Sequence, residues 1–143
     1  MKLREIMTND VSSVSPSDPI IEAAKIMQQR NVGCIPVCDQ NKEVKGILTD
    51  RDIVIRVVAE GRNPKDLDVS KVMSTGLTLG SPDMDGEEAA QIMSEHQIRR
   101  LPIVENKRLV GIVSIGDLAA HNIFVSEAAD ALHHISQPSH PLM

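Results

Sequence analysis

Apolar positions recur along the chain at two periods, and each period occurs twice. In residues 19–30, PIIEAAKIMQQR, Ile20, Ala23, Ala24 and Met27 fall at the spacing of a helix face. Ser17 or Asp18 precedes as N-cap, with Pro19 in the first turn, and the helix stops before Gly33. Two short β-branched runs follow, CIPVC (34–38) and VKGILT (44–49), separated by DQNKE, which reads as a hairpin. DRDIVIRVVAEG (50–61) then reads as a second helix, with Gly61 just past its end. The same order returns downstream: a helix near Glu87–His96, strands RLPIV and RLVGIVS, and a short helix from Ile115.

The succession is a sequence repeat. Met7 matches Met73, Pro16 matches Pro82, Ala23-Ala24 match Ala89-Ala90, Ile26-Met27 match Ile92-Met93 and Pro36 matches Pro102, all 66 residues apart. After a shortening of one residue near Glu105, Gly46 matches Gly111 at 65. With a strand at its head, each unit reads β-α-β-β-α and is too small to bury both faces of its sheet. The expectation is an α+β fold of two tandem units packed sheet to sheet: repeat 1 over 1–66, repeat 2 over 67–125, and a tail over 126–143. EGRNPKDLD connects the repeats. In the tail, residues 126–136 read as an amphipathic helix with Ala128, Ala129, Leu132 and Ile135 on one side, and QPSHPLM as disordered.

Composition narrows the chemistry. The chain has 143 residues and a formal charge of −5, which gives no broad surface for nucleic acid or anionic lipid. No apolar run approaches the ~20 residues of a membrane helix, and no secretion signal opens the chain, so a cytoplasmic location is expected. Phe124 is the only aromatic residue, so a flat ligand must be held by aliphatic faces and backbone. Cys34 and Cys38 are the only thiols; they lack CxxC spacing and read as small buried hydrophobes. The five histidines, His96, His121, His133, His134 and His140, make no metal-ligand pattern. No nucleophile–base pair or Gly-rich phosphate loop is present, so neither catalysis nor a cofactor is expected.

The repeated turns GILTDRDI (46–53) and GIVSIGDL (111–118) carry the candidate chemistry. Each ends a strand on a hydroxyl, Thr49 or Ser114, and places a carboxylate three residues on, Asp52 or Asp117. A hydroxyl there can meet an anion, and the acid can accept from a vicinal diol such as that of ribose. The same pair also makes an ordinary helix cap. Both readings stand at this point. Arg99 and Arg100 occupy the places of Gly33 and Cys34, and Arg51 has Gly116 as its counterpart. Arg51 reads either as a phosphate contact or as helix-surface charge.

The openers IMT and VMS, the EAAxIM helices, VGCIPV and IRRLPIV, and the two turns together resemble a CBS-domain pair, the module named after cystathionine β-synthase. The likeness runs over about residues 2–121. It implies a two-repeat, disc-like regulatory module, usually a homodimer, that binds adenosyl ligands such as AMP, ADP or ATP in clefts between the repeats. Such a module signals to a partner protein, here unknown. By the same resemblance Thr49 and Ser114 contact phosphate, Asp52 and Asp117 contact ribose, and Arg100 faces phosphate. Arg99 is the flanking basic residue, of which a surface or dimer salt bridge is expected. Val32, Gly33, Cys34, Ile35 and Pro36, with Ile98 in the second repeat, form the wall against adenine. A structural or protein-interaction module without nucleotide is the alternative. A metal- or nucleic-acid-binding regulator has only the histidine-containing tail in its favour.

Overall fold

The structure is a computed structural model and describes residues 1–121 and 124–138. The elements run α1 (Ile20–Arg30), β1 (Cys34–Cys38), β2 (Val44–Thr49), α2 (Asp50–Ile53), α3 (Gly86–His96), β3 (Arg100–Glu105), β4 (Arg108–Ser114), α4 (Ile115–Ala119) and α5 (Val125–Ile135). A π-helical turn over Val54–Val58 prolongs α2, and 3-10 turns form at Leu3–Glu5 and Val69–Lys71. β1 pairs antiparallel with β2, Cys34 opposite Thr49, and β3 neighbours β4 in a second two-stranded sheet.

The strand expected at the head of each repeat is reduced to isolated bridges. Val14 bridges Val37 and Gly80 bridges Ile103, both parallel. Pro16 and Pro82 stand two residues beyond, and proline has no N–H for a ladder, so the pairing stops there. The cap of α1 also moves. Pro19 is the N-cap, while the Asp18 carboxylate accepts from the Ser15 N–H at 2.8 Å and closes the preceding turn. α1 and α3 both end on a left-handed residue, Asn31 and Gln97. Gly61, at φ +68°, follows the π-helical turn as expected.

Two compact units emerge: Ser12–Leu77 with Lys107–Leu109, and Met1–Val11 with Thr78–Asn106 and Val110–Met143. Their boundaries are not those of the repeats, because the opener of each repeat packs on the hairpin of the other. In the unit containing α3, Leu3 is fully buried and Thr8 bridges Ile112 of β4. In the unit containing α1, Val69 is fully buried and Ser74 bridges Ile47 of β2. This explains the glycine that starts each turn motif. A Cβ on Gly46 would lie 2.6 Å from the Met73 sulfur and 2.9 Å from the Ser74 carbonyl oxygen. One on Gly111 would lie 2.6 Å from the Met7 sulfur and 3.0 Å from the Thr8 carbonyl oxygen.

The cores are aliphatic. One gathers Ile20, Ala23, Met27, Ile35, Leu48 and Val57 around the opener residues Val69 and Val72. The other gathers Ala89, Met93, Leu101, Ile103, Val113 and Leu118 around Leu3. Here α5 adds Phe124 and Ala128, with Ile135 packed at the margin. The buried stripe of α5 is Ala128 and Ala131; Ala129 and Leu132, expected on that face, are exposed. The covered face belongs to α3 and α4, against which α5 packs. Around α1 and α2 no described helix plays the part of α5. Val54, Ile55 and Val58 there are 57%, 45% and 65% exposed. The segment QPSHPLM is described only to Pro138; His140 and the rest of the expected disordered end lie outside the described residues.

Candidate functional site

Each turn motif folds as a strand running directly into a helix. Thr49, extended at φ −114° and ψ 161°, is the N-cap of α2. Its hydroxyl accepts from the Asp52 N–H at 3.1 Å, and Asp52 Oδ2 accepts from the Thr49 N–H at 3.0 Å. Ser114 caps α4 in the same way, at 3.0 Å and 2.8 Å with Asp117. These are reciprocal capping boxes, which satisfy two otherwise orphaned amides at each helix start. The capping reading of the sequence is therefore correct for both pairs. It consumes one carboxylate oxygen of each acid. Among the described residues no hydrogen bond or ion pair uses Oδ1 of Asp52 or Asp117, which leaves it available to an outside donor.

The neighbouring strand start completes each site. The Asp50 N–H donates to the Gly33 carbonyl at 2.9 Å, and the Ile115 N–H donates to the Arg99 carbonyl at 2.9 Å. Val32, Gly33 and Cys34 thus lie beside Thr49, and Ile98, Arg99 and Arg100 beside Ser114. The side chains of Arg51, Arg99 and Arg100 are exposed and have no hydrogen-bond or ion-pair partner among the described residues. Val32 is exposed and Ile98 half-buried. Ile35 and Pro36 are buried, Ile35 within the core, so that stretch presents only Val32, Gly33 and Cys34 at its surface. Burial pushes the Cys38 thiol up from its ordinary range, which favours the unreactive protonated form. Among the described residues no group of three or more His, Cys, Asp or Glu could hold a metal ion. No helix is long and apolar enough to cross a membrane.

Sequence reasoning missed two parts of this site. The first is the pair of openers: Thr8 and Ser74 line up backbone to backbone with Ile112 and Ile47, two residues before each hydroxyl. The second is Asp50, whose carboxylate lies against Gly33. Its signal was present in the repeat, where Ile115 holds the matching place.

The family model of the CBS domain matches residues 3–59 and 69–123. The chain belongs to the CBS domain family. It is 51% identical over 134 residues to the CBS domain-containing protein YhcV of Bacillus subtilis, covering 94% of each chain. A crystal structure of Hypoxic Response Protein I with two coordinated zinc ions matches with a TM-score of 0.79 and 33% identity, over 85% of this chain and 98% of that one. A CBS domain pair in complex with 5′-methylthioadenosine and S-adenosyl-L-methionine shares the fold, with a TM-score of 0.75 and 24% identity, over 89% of this chain and 98% of that one. An inosine-5′-monophosphate dehydrogenase of Methanocaldococcus jannaschii is matched over only 25% of its length.

Proposed function

We propose that this CBS pair is a regulatory module that binds adenine nucleotides of the AMP, ADP or ATP kind and passes its occupancy to a partner protein. Asp117 and Asp52 accept from the ribose diol through Oδ1. Ser114 presents its hydroxyl to phosphate, Thr49 presents its own to the ligand of the first site, and Arg100 adds a charge-assisted contact beside Ser114. The observation that carries this reading is Asp117: a carboxylate oriented by its capping box, with one oxygen uncommitted, in the same unit as two unpaired arginines. The module works without catalysis or cofactor, in the cytoplasm, as an energy sensor in the form of a homodimer. The exposed Val54, Ile55 and Val58 supply the surface for pairing.

A second reading has its own support. The capping boxes already account for all four motif side chains as folding devices, which suits a module that only binds protein. Thermal melting with AMP, ADP and ATP separates the two. A ligand that binds only the folded chain raises the midpoint, by an amount that grows with the logarithm of its concentration over Kd. No rise with any of the three at millimolar concentration favours the interaction module.

A further inference from the structure

We propose that Asp50 makes the Thr49 site select an adenosyl ligand without a phosphate chain, while the Ser114 site takes a phosphorylated one. This rests on the adenosyl reading given above and adds to it what each site admits.

The two sites share one backbone. Both have the capping box, and both have the first helical N–H bonded to the carbonyl of the facing strand start at 2.9 Å. Their charges differ. Where the second site has Arg99, Arg100, Ile115 and Gly116, the first has Gly33, Cys34, Asp50 and Arg51. A Cβ on Gly33 would lie 2.8 Å from Asp50 Oδ2, so the carboxylate fills the space that a side chain at residue 33 would need. An arginine at residue 33, equivalent to Arg99, would require the Asp50 carboxylate to turn aside.

Asp50 also removes an anion donor. Its Oδ1 accepts from the Arg51 N–H at 2.8 Å, and the Asp52 N–H is already taken by Thr49. A phosphate arriving at Thr49 meets Asp50 and Asp52, with Arg51 as the basic residue of the turn motif. A phosphate arriving at Ser114 meets Asp117 with two exposed arginines, Arg99 and Arg100. Like charges oppose the first encounter and opposite charges favour the second, more so at low salt. An uncharged ribosyl adenine needs only the diol acceptor and the apolar surface, which the first site keeps in Asp52 and Val32.

Calorimetry with adenosine and ATP as probes tests this. In Asp117→Ala protein, which retains the Thr49 site, adenosine should bind at least as tightly as ATP. Adding Asp50→Asn, which keeps an acceptor for the Arg51 N–H, should raise ATP affinity roughly tenfold at low salt and leave adenosine within about twofold. The reciprocal Ile115→Asp, in Asp52→Ala protein, should weaken ATP by roughly the same factor. ATP binding the Thr49 site more tightly than adenosine with Asp50 present, or neither exchange altering the ratio of ATP to adenosine affinity, overturns charge selection alone. If wild-type protein binds neither probe, the adenosyl reading fails and the proposal falls with it.

Discussion

Ser114 and Asp117 hold each other through the backbone: the hydroxyl accepts from the Asp117 N–H at 3.0 Å, and Asp117 Oδ2 accepts from the Ser114 N–H at 2.8 Å. The pair starts α4 and leaves Asp117 Oδ1 without a partner among the described residues, the atom to which the proposed function gives the ligand. A loss of stability and a loss of binding are separable consequences of changing it.

Ser114→Ala should lower stability by about 1 kcal/mol through loss of the cap, and Ser114→Thr should restore it. Urea denaturation without ligand measures both. An unchanged midpoint for the alanine variant would show that the capping box does not hold this helix start.

Gly46→Ala and Gly111→Ala should each destabilise by roughly 1–3 kcal/mol, because the new methyl meets a methionine sulfur and a backbone carbonyl together. The methionine end can swing away, but the carbonyls of Ser74 and Thr8 are fixed by their bridges to Ile47 and Ile112. Denaturation midpoints of the two variants should fall by similar amounts. A neutral result at either position would mean that the opener is free to move off the strand.

The element order was legible because amphipathic period and β-branched runs agree in both repeats, as at Met27 and Met93 and at Ile35 and Leu101, with Gly61 marking a helix end in the first repeat alone. The exchange of openers was not. Leu3 and Val69 look alike in sequence, and nothing in their spacing says which hairpin each will cover. The hydroxyl–acid pairs were legible as a motif, and their capping role follows from spacing alone. The burial of Ile35 and the fit of Asp50 against Gly33 depend on tertiary packing that a linear pattern does not carry. The buried stripe of α5 was misread for a related reason. Ala131 contributes too little hydrophobicity to mark a face, yet its small size lets the helix lie close.

Ala131→Glu should destabilise strongly, by about 3 kcal/mol or more, since it drives a charge into the contact of α5 with its unit. Ala129→Glu, on the exposed side, should change stability by less than about 0.5 kcal/mol. Calorimetric melting of the pair checks the assignment. Equal effects would contradict the position of α5.

Val58→Glu should convert a dimer to a monomer without lowering the stability of the isolated chain, because Val58 is 65% exposed. Light scattering at micromolar concentration reads the mass. A wild-type mass of one chain, or a dimer unaffected by Val58→Glu, would contradict pairing through this face.

The most direct test of the account is calorimetric titration of ATP into wild-type, Asp117→Ala, Arg100→Ala and Asp52→Ala proteins. The account predicts a tight phase that is lost in Asp117→Ala, weakened about 10–100-fold in Arg100→Ala by loss of one charge-assisted bond, and kept in Asp52→Ala. No binding of ATP by the wild-type protein at millimolar concentration, or a tight phase that survives Asp117→Ala and disappears in Asp52→Ala, would contradict it.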